Sequence, residues 1–157
     1  MSDVFTFDLE TIRRQCLSSL STYSCLAAVN SLNPIPTMCL CVDAGLCLKM
    51  FADIRIHFHL DEDAAAELRQ YDVVVPLLNR IFSYATEAGV NALLEKTTGS
   101  SLSHYIPYVG QIVTGALNYS TIKLLGEAYI DDCYDLVKMV QDRAILVTPI
   151  NRKDDTK

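Results

Sequence analysis

Apolar residues recur at every third or fourth position through most of this chain, and prolines interrupt the recurrence at a few places. This spacing puts apolar side chains on one face of an α-helix, whereas a half-buried strand would need strict alternation. With 50% of its 157 residues hydrophobic, the chain can bury the core of one domain. The pattern predicts an all-α fold, a multi-helix bundle of about five to six helices.

Six helical segments follow from the apolar stripes and the polar or proline-containing breaks between them. We predict helices over residues 7–32, 36–58, 62–70, 73–96, 106–125 and 127–144. Gly126 either separates the last two segments or lies inside one long helix. Residues 1–147 are therefore predicted to form a single helical domain, and residues 148–157 a flexible C-terminal tail.

The helix starts carry local signals of their own. Pro36 and Pro107 are predicted to open helices, because proline has no backbone N–H to lose in a first helical turn. Asp8, Asp61 and Asp72 are the predicted N-caps, since a carboxylate can accept from the unpaired amides that follow it.

Charge and cysteine content narrow the function classes. A net charge of -6, with scattered basic residues, disfavours a nucleic-acid partner, which needs a basic face. The first residues contain no apolar signal run, so we expect an intracellular chain without disulfides. The cysteines are then expected to be small buried hydrophobes. They are Cys16, Cys25, Cys39, Cys41, Cys47 and Cys133.

Motifs for bound nucleotides and metals are missing from the sequence. No glycine belongs to a G-x-x-x-x-G-K-S/T loop, whose backbone amides would hold phosphates, and G-x-G-x-x-G is also absent. His57 and His59 lie near Asp61, but no fourth zinc ligand accompanies them. We therefore predict no cofactor and no metal.

Catalytic constellations are equally weak. His104 is predicted to lie in a loop. A further alternative is an enzyme that uses cysteine and histidine, and it would need a thiol beside His57 or His104. Asp131, Asp132 and Asp135 are interpreted as a solvated acidic helix face rather than acid/base catalysts. Asp43 lies among apolar residues and should have a hydrogen-bonding partner or lie near the bundle end. We predict that the chain is not an enzyme.

Two long stretches without acidic or basic residues, 15–42 and 97–122, leave a membrane alternative open. They could form a small integral membrane hairpin, although prolines and many polar side chains would be costly in hydrocarbon. Buried helices of a bundle explain them better. Peripheral attachment through an amphipathic helix is the other possibility, with the helix at 73–96 as candidate. The residues of its apolar stripe are Leu77, Leu78, Ile81, Phe82, Ala85, Val90, Leu93 and Leu94.

A family resemblance adds to this interpretation. Asn-Pro-Ile-Pro at 33–36 and Val-Asp-Ala-Gly-Leu at 42–46 open a helix that ends in aromatic residues and a Leu-Asp-Glu turn at 60–62. This stretch resembles the C-terminal helical domain of the immunity-related, interferon-inducible GTPases. Residues 106–140 resemble the last long helices of that domain, and the similarity in pattern extends over about residues 8–143.

The resemblance implies an interaction module without catalysis of its own. Members of that family carry a GTPase domain on which the helical domain packs, bind intracellular membranes, self-assemble, and act in innate immunity. A membrane-targeting helix of some members would fall within 77–96 here. GTP binding cannot be carried over, because these 157 residues lack the phosphate loop. The expected partners are intracellular membranes, GTPase-domain proteins or a second copy.

Overall fold

The computed structural model describes residues 7–32, 36–86, 88–90, 92 and 109–147. Regular structure in these residues is entirely helical, which confirms the predicted all-α multi-helix bundle. Residues 88–90 are helical in addition to the five longer helices. The longer helices are α1 (Leu9–Asn30), α2 (Pro36–His57), α3 (Glu62–Leu68), α4 (Val75–Tyr84) and α5 (Val109–Val147).

The N-terminus of α1 is capped as predicted. The side chain of Asp8 accepts hydrogen bonds from the backbone amides of Glu10 and Thr11, at 3.1 and 3.3 Å. Cys25, which was predicted to be buried, is exposed on α1, and so is Val29. α1 carries apolar residues on two faces, and the face that meets the core consists of Leu9, Cys16, Leu20, Ser24 and Ala27.

The next helices also follow the local sequence signals, with one exception. α2 begins at Pro36, as predicted. Asp61 caps α3, accepting from the backbone amide of Ala64 at 2.8 Å. The predicted cap at Asp72 is wrong: Val74 precedes α4 and supplies no side-chain hydrogen bond. The proline in the first turn of α4 reduces the number of amides that need a partner.

The single helix predicted over 73–96 is wrong, because α4 ends at Tyr84. Thr86 Oγ1 donates to the Ser83 carbonyl at 2.8 Å and accepts from the Gly89 amide at 3.1 Å, so Thr86 caps the helical residues that follow. A Cβ on Gly89 would lie 2.1 Å from the Ser83 carbonyl oxygen. The break therefore depends on a close backbone approach that only glycine permits at this position.

The last two predicted segments form one continuous helix, α5, with Gly126 inside it. A Cβ on Gly126 would lie 2.2 Å from Leu20 Cδ1, so the glycine lets α1 and α5 approach closely. α5 ends at Val147. Pro107 and the predicted tail at 148–157 lie outside the described residues.

The core lies where α1, α2 and α5 pack together, with α4 against α5. The rings of Phe51 and Tyr129 stack with their centroids 4.2 Å apart. The Tyr129 hydroxyl donates to the Ile81 carbonyl at 3.1 Å, which joins α4 to α5. The largest buried side chains include Tyr129, Phe51, Phe58, Leu20, Met50, Leu60, Leu78, Ile81, Ile122, Ile130 and Leu136.

Candidate interaction surface

The apolar stripe predicted as a membrane or partner helix faces the interior wherever the structure describes it. Leu78, Ile81 and Val90 are buried in the core. The partly buried side chains of Leu77, Phe82 and Ala85 pack against that core. Leu93 and Leu94 lie outside the described residues. The described part of this stripe already has its apolar surface covered by the same chain.

The histidines near the end of α2 have local roles. The Nδ1 atom of His57 lies 2.7 Å from the Asp53 backbone oxygen. Because a carbonyl only accepts, Nδ1 must carry the proton. The ring of His59 lies against Phe7, with centroids 4.8 Å apart. Across the described residues, His, Cys, Asp and Glu side chains form no group of three or more that could hold a metal ion.

Three of the cysteines are buried thiols of low reactivity. Burial raises the pKa of Cys16 to about 11 and, with the nearby Asp43 charge, that of Cys47 to about 12. Burial also raises the pKa of Cys133 well above its ordinary value. Cys25 is exposed, so the expectation of burial is wrong for this residue. Thiols held in the neutral form are poor nucleophiles. The side chains of Cys39 and Cys41 lie outside the described residues.

The acidic face on α5 has a structural role that the sequence did not reveal. Asp131 accepts from Arg13 of α1, with Arg13 Nη2 to Asp131 Oδ1 at 2.8 Å. Asp132 pairs with Arg80 of α4. The partners are 118 and 52 residues apart, so no local pattern connects them. Asp131 and Asp132 were expected only to face solvent, but they link α5 to α1 and to α4.

Asp43 has a partner, as expected. Its side chain is buried, and Oδ1 accepts from Asn30 Nδ2 of α1 at 3.0 Å. Burial raises the pKa of Asp43, and the hydrogen bond from Asn30 opposes that effect. The Asn30–Asp43 contact joins the end of α1 to α2.

Farther along, a second polar contact crosses between the same two helices. The Tyr23 hydroxyl of α1 donates to the Asp53 carboxylate of α2, and Lys49 Nζ lies 3.1 Å from Asp53 Oδ2. Burial opposes ionisation of Asp53, but the bonds from Tyr23 and Lys49 prevail and lower its pKa. Burial and the Asp53 charge raise the pKa of Tyr23 to about 12. Together with Asn30–Asp43, this contact shows that α1 and α2 run antiparallel.

A cleft of about 350 Å³ lies between α1 and α2 beside this contact. The apolar residues of the cleft include Leu20, Met50 and Ile54, which are buried. Its complete lining is Cys16, Ser19, Leu20, Thr22, Tyr23 and Leu26 from α1, and Leu46, Lys49, Met50, Asp53, Ile54 and His57 from α2. We call this site the α1–α2 cleft.

An exposed apolar face adjoins the cleft. Leu26, Val29 and Leu32 are 48%, 65% and 55% exposed, and Cys25 is exposed as well. At 3.6 residues per turn these four positions fall on one side of α1 and of the turn that follows it. Leu26 belongs both to this α1 apolar face and to the cleft lining. The sequence contains no acidic or basic residue from Gln15 to Leu32.

A second cleft, of about 280 Å³, lies among α2, α4 and α5. It is lined by the stacked Phe51 and Tyr129 rings and by the Arg80–Asp132 ion pair. Its charged groups therefore neutralise each other within the chain.

Arg55 of α2 carries the clearest unsatisfied donor in the described part of the chain. Its guanidinium carbon lies 4.6 Å from the centre of the Phe82 ring, and Nη1 lies 3.9 Å from Glu62 Oε1. Nε is buried without a hydrogen-bond partner. The acidic start of α3 beside Arg55 disfavours binding of an anion there.

No family model, no curated protein and no solved structure matches this chain. Within the ranges that the structure describes, none of the helices combines the length and apolar character needed to cross a bilayer. The exposed surface itself is therefore the basis for a functional proposal.

Proposed function

We propose that this chain is a non-catalytic helical interaction module that assembles with a GTPase-domain protein through the α1 apolar face. The observation that carries the proposal is the exposure of Leu26, Val29 and Leu32 on an uncharged side of one helix. Exposed apolar area costs about 25 cal/mol per Å² relative to burial, so a contiguous patch favours a partner that covers it.

The choice of partner rests on the resemblance to the helical domain of the immunity-related GTPases. In that family the helical domain packs on a GTPase domain, so a docking face is expected on the helical part. The α1 apolar face is the described surface that suits such packing. The module would act in the cytoplasm or on internal membranes.

The described chemistry supports a role without catalysis. The thiols of Cys16, Cys47 and Cys133 have raised pKa values, whereas a nucleophilic cysteine needs a lowered one. The carboxylates of Asp53, Asp131 and Asp132 are engaged in contacts between or within helices.

Peripheral membrane association is the second candidate, favoured by the same uncharged face. A net charge of -6 gives no attraction to anionic lipid, so membrane contact would have to be apolar and insensitive to lipid charge.

Co-sedimentation with a purified full-length immunity-related GTPase tests the protein partner. We expect the wild-type chain to bind it and Val29→Asp to lose binding. The matched control is Val73→Asp, at another exposed valine on a different surface. Unchanged binding by Val29→Asp, or no binding by the wild type, would contradict this assignment.

Liposome flotation tests the membrane candidate with neutral and anionic vesicles in parallel. Flotation with both vesicle types, lost in Val29→Asp, would support the membrane role, and a chain that stays at the bottom of every gradient would exclude it. Extraction with alkaline carbonate separates this outcome from the integral hairpin at 15–42 and 97–122, which would remain with the membrane pellet.

A further inference from the structure

α3 and α4 follow each other along residues 60–84, a stretch that we call the α3–α4 unit. We propose that this unit opens as a whole from a three-helix core of α1, α2 and α5, and that the buried charge of Arg55 sets how readily it opens. This motion is independent of the partner proposed for α1.

The contacts between helices divide the chain into these two parts. Each of α1, α2 and α5 packs against the other two, whereas the main contacts of α3 are with α4, and those of α4 are with α3 and α5. A set of mutually packed helices can stay folded while a neighbouring element opens. Opening exposes buried apolar side chains of the unit, so the closed form predominates. They are Leu60, Ala65, Leu68, Val74, Leu78 and Ile81.

Both ends of the unit are positions where the backbone leaves regular helical geometry. His59 follows α2 in the left-handed conformation, with φ 55°, and its amide donates to the Ile56 carbonyl at 3.0 Å. That conformation is unfavourable for a residue with a Cβ and is usually taken by glycine at the end of a helix. At the other end, α4 stops at Tyr84, before the Thr86 cap. Motions between elements are absorbed at such terminal positions.

Arg55 extends from α2 to the place where the unit meets the core. Its guanidinium carbon lies 4.6 Å from the centre of the Phe82 ring in α4, and its side chain is 20% exposed. Nη1 lies 3.9 Å from Glu62 Oε1, beyond hydrogen-bonding distance, and the Glu62 side chain is 79% exposed. Nε is buried, and no described residue accepts a hydrogen bond from it. The closed form therefore removes much of the charge from water without fully replacing its hydration.

The same charge favours the open form. When α4 moves away, water reaches the guanidinium, and this gain opposes the burial of the apolar side chains of the unit. The contact with the Phe82 ring offsets part of the cost in the closed form. Methionine in place of Arg55 would keep an apolar contact with Phe82 and bury no charge, so it should hold the unit closed.

Opening changes the surface that the core presents. It separates the Tyr129 hydroxyl from the Ile81 carbonyl, and Asp132 from Arg80. It also uncovers the stacked rings of Phe51 and Tyr129, which line the second cleft. The open form therefore presents apolar and acidic groups of α2 and α5 that the closed form covers.

Amide hydrogen exchange of the wild-type chain, followed by mass spectrometry, tests the division into two parts. We expect the protected amides of α3 and α4 to exchange together, at least about tenfold faster than the protected amides of α1, α2 and α5. A second measurement uses Ala65→Cys, which places a thiol at a buried position of α3. That thiol should react with a thiol reagent before the buried thiols of the core do.

Two variants of α2 test the role of Arg55. Arg55→Met should slow exchange in α3 and α4 by about tenfold, because the closed form no longer buries a charge. Lys49→Met is the matched control, since Lys49 is a basic residue of the same helix whose side chain is 67% exposed. It should leave exchange in α3 and α4 unchanged.

Three outcomes would overturn the proposal. Equal exchange in all five helices of the wild type would show that the chain opens only as a whole. Faster exchange of α4 in Arg55→Met would show that the guanidinium holds the unit closed. Equal slowing of every helix in Arg55→Met would show that the charge destabilises the entire chain rather than the α3–α4 unit.

Discussion

Leu20 of α1 lies against Gly126 of α5, and this contact predicts the effect of adding one methyl group. In Gly126→Ala the new Cβ would lie 2.2 Å from Leu20 Cδ1. Leu20 is buried, so the new methyl group forces its side chain to turn, in the direction of the α1–α2 cleft that Leu20 also lines. Overpacking costs about 1–3 kcal/mol and the helix preference of alanine offsets about 1 kcal/mol of that, so we expect a net loss of up to about 2 kcal/mol in urea unfolding.

The matched control is Gly45→Ala in α2. No atom lies within 4 Å of the Cβ position at Gly45, apart from the helix's own backbone and chain neighbours. Replacing a glycine inside a helix should then raise the unfolding free energy by about 0.5–1 kcal/mol. If both variants stabilise the chain, α1 and α5 do not approach as closely as the structure indicates.

The contact between Tyr23 and Asp53 predicts a pH-dependent effect. Tyr23→Phe removes a donor to an ionised carboxylate and should cost about 1 kcal/mol at pH 7. The pKa of Asp53 lies below its ordinary 3.8 in the folded chain, so its stabilising contribution is complete above that value. The contribution is lost as pH falls through the folded pKa.

Urea unfolding at pH 7 and near pH 2 therefore measures how much the unfolding free energy of Tyr23→Phe differs from that of the wild type. Asp53 is ionised at pH 7 and becomes increasingly protonated as the pH falls. We expect the difference to be largest at pH 7 and to shrink at the acidic end. Tyr71→Phe, at an exposed tyrosine, serves as the comparison. A difference that grows as the pH falls would mean that the hydroxyl does not stabilise the carboxylate.

At the scale of helices, α4 is held to α5 by two specific contacts. Arg80 pairs with Asp132, and the Tyr129 hydroxyl donates to the Ile81 carbonyl. Asp132→Ala should cost about 1 kcal/mol, the upper value for partly exposed ion pairs. When amides of α4 exchange by local opening, this loss of stability should make their hydrogen exchange about fivefold faster. Exchange in α1 should change less.

Asp135→Ala is the control, because Asp135 is an exposed carboxylate on the same helix. Its exchange pattern should match the wild type throughout α4. Uniform acceleration in every helix of Asp132→Ala would show that α4 opens only with the whole chain, and would contradict the local role of the pair.

Local signals explain which helices could be predicted. Asp8 and Asp61 cap because each carboxylate reaches amides two or three residues away, and Pro36 opens α2 for a similarly local reason. The sequence does not predict the break after Tyr84, because its apolar residues keep their helical spacing beyond that position. Thr86 three residues before Gly89 is a capping signal that could have revealed it.

At the scale of the molecule, the candidate surface was the least predictable feature. α1 has apolar residues on two faces, and only packing against α5 decides that Leu20 and Ala27 face inward while Leu26 and Val29 face solvent. The ion pairs on α5 link residues far apart in the chain, so the sequence indicated only an acidic face. Periodicity predicts that a helix forms, but the identity of its buried side depends on its neighbours.

Cys16, Cys47 and Cys133 lie on α1, α2 and α5, and they test whether these helices unfold together. All three are buried with raised pKa values, so a thiol reagent should modify them only after the chain opens, whereas exposed Cys25 should react at once. Because the three helices share one core, the three sites should be labelled with the same dependence on urea when mass spectrometry follows each separately. Earlier labelling of Cys47 alone would show that α2 detaches from a still-folded pair of α1 and α5. That result would also place the α1–α2 cleft on the part of the molecule that opens first.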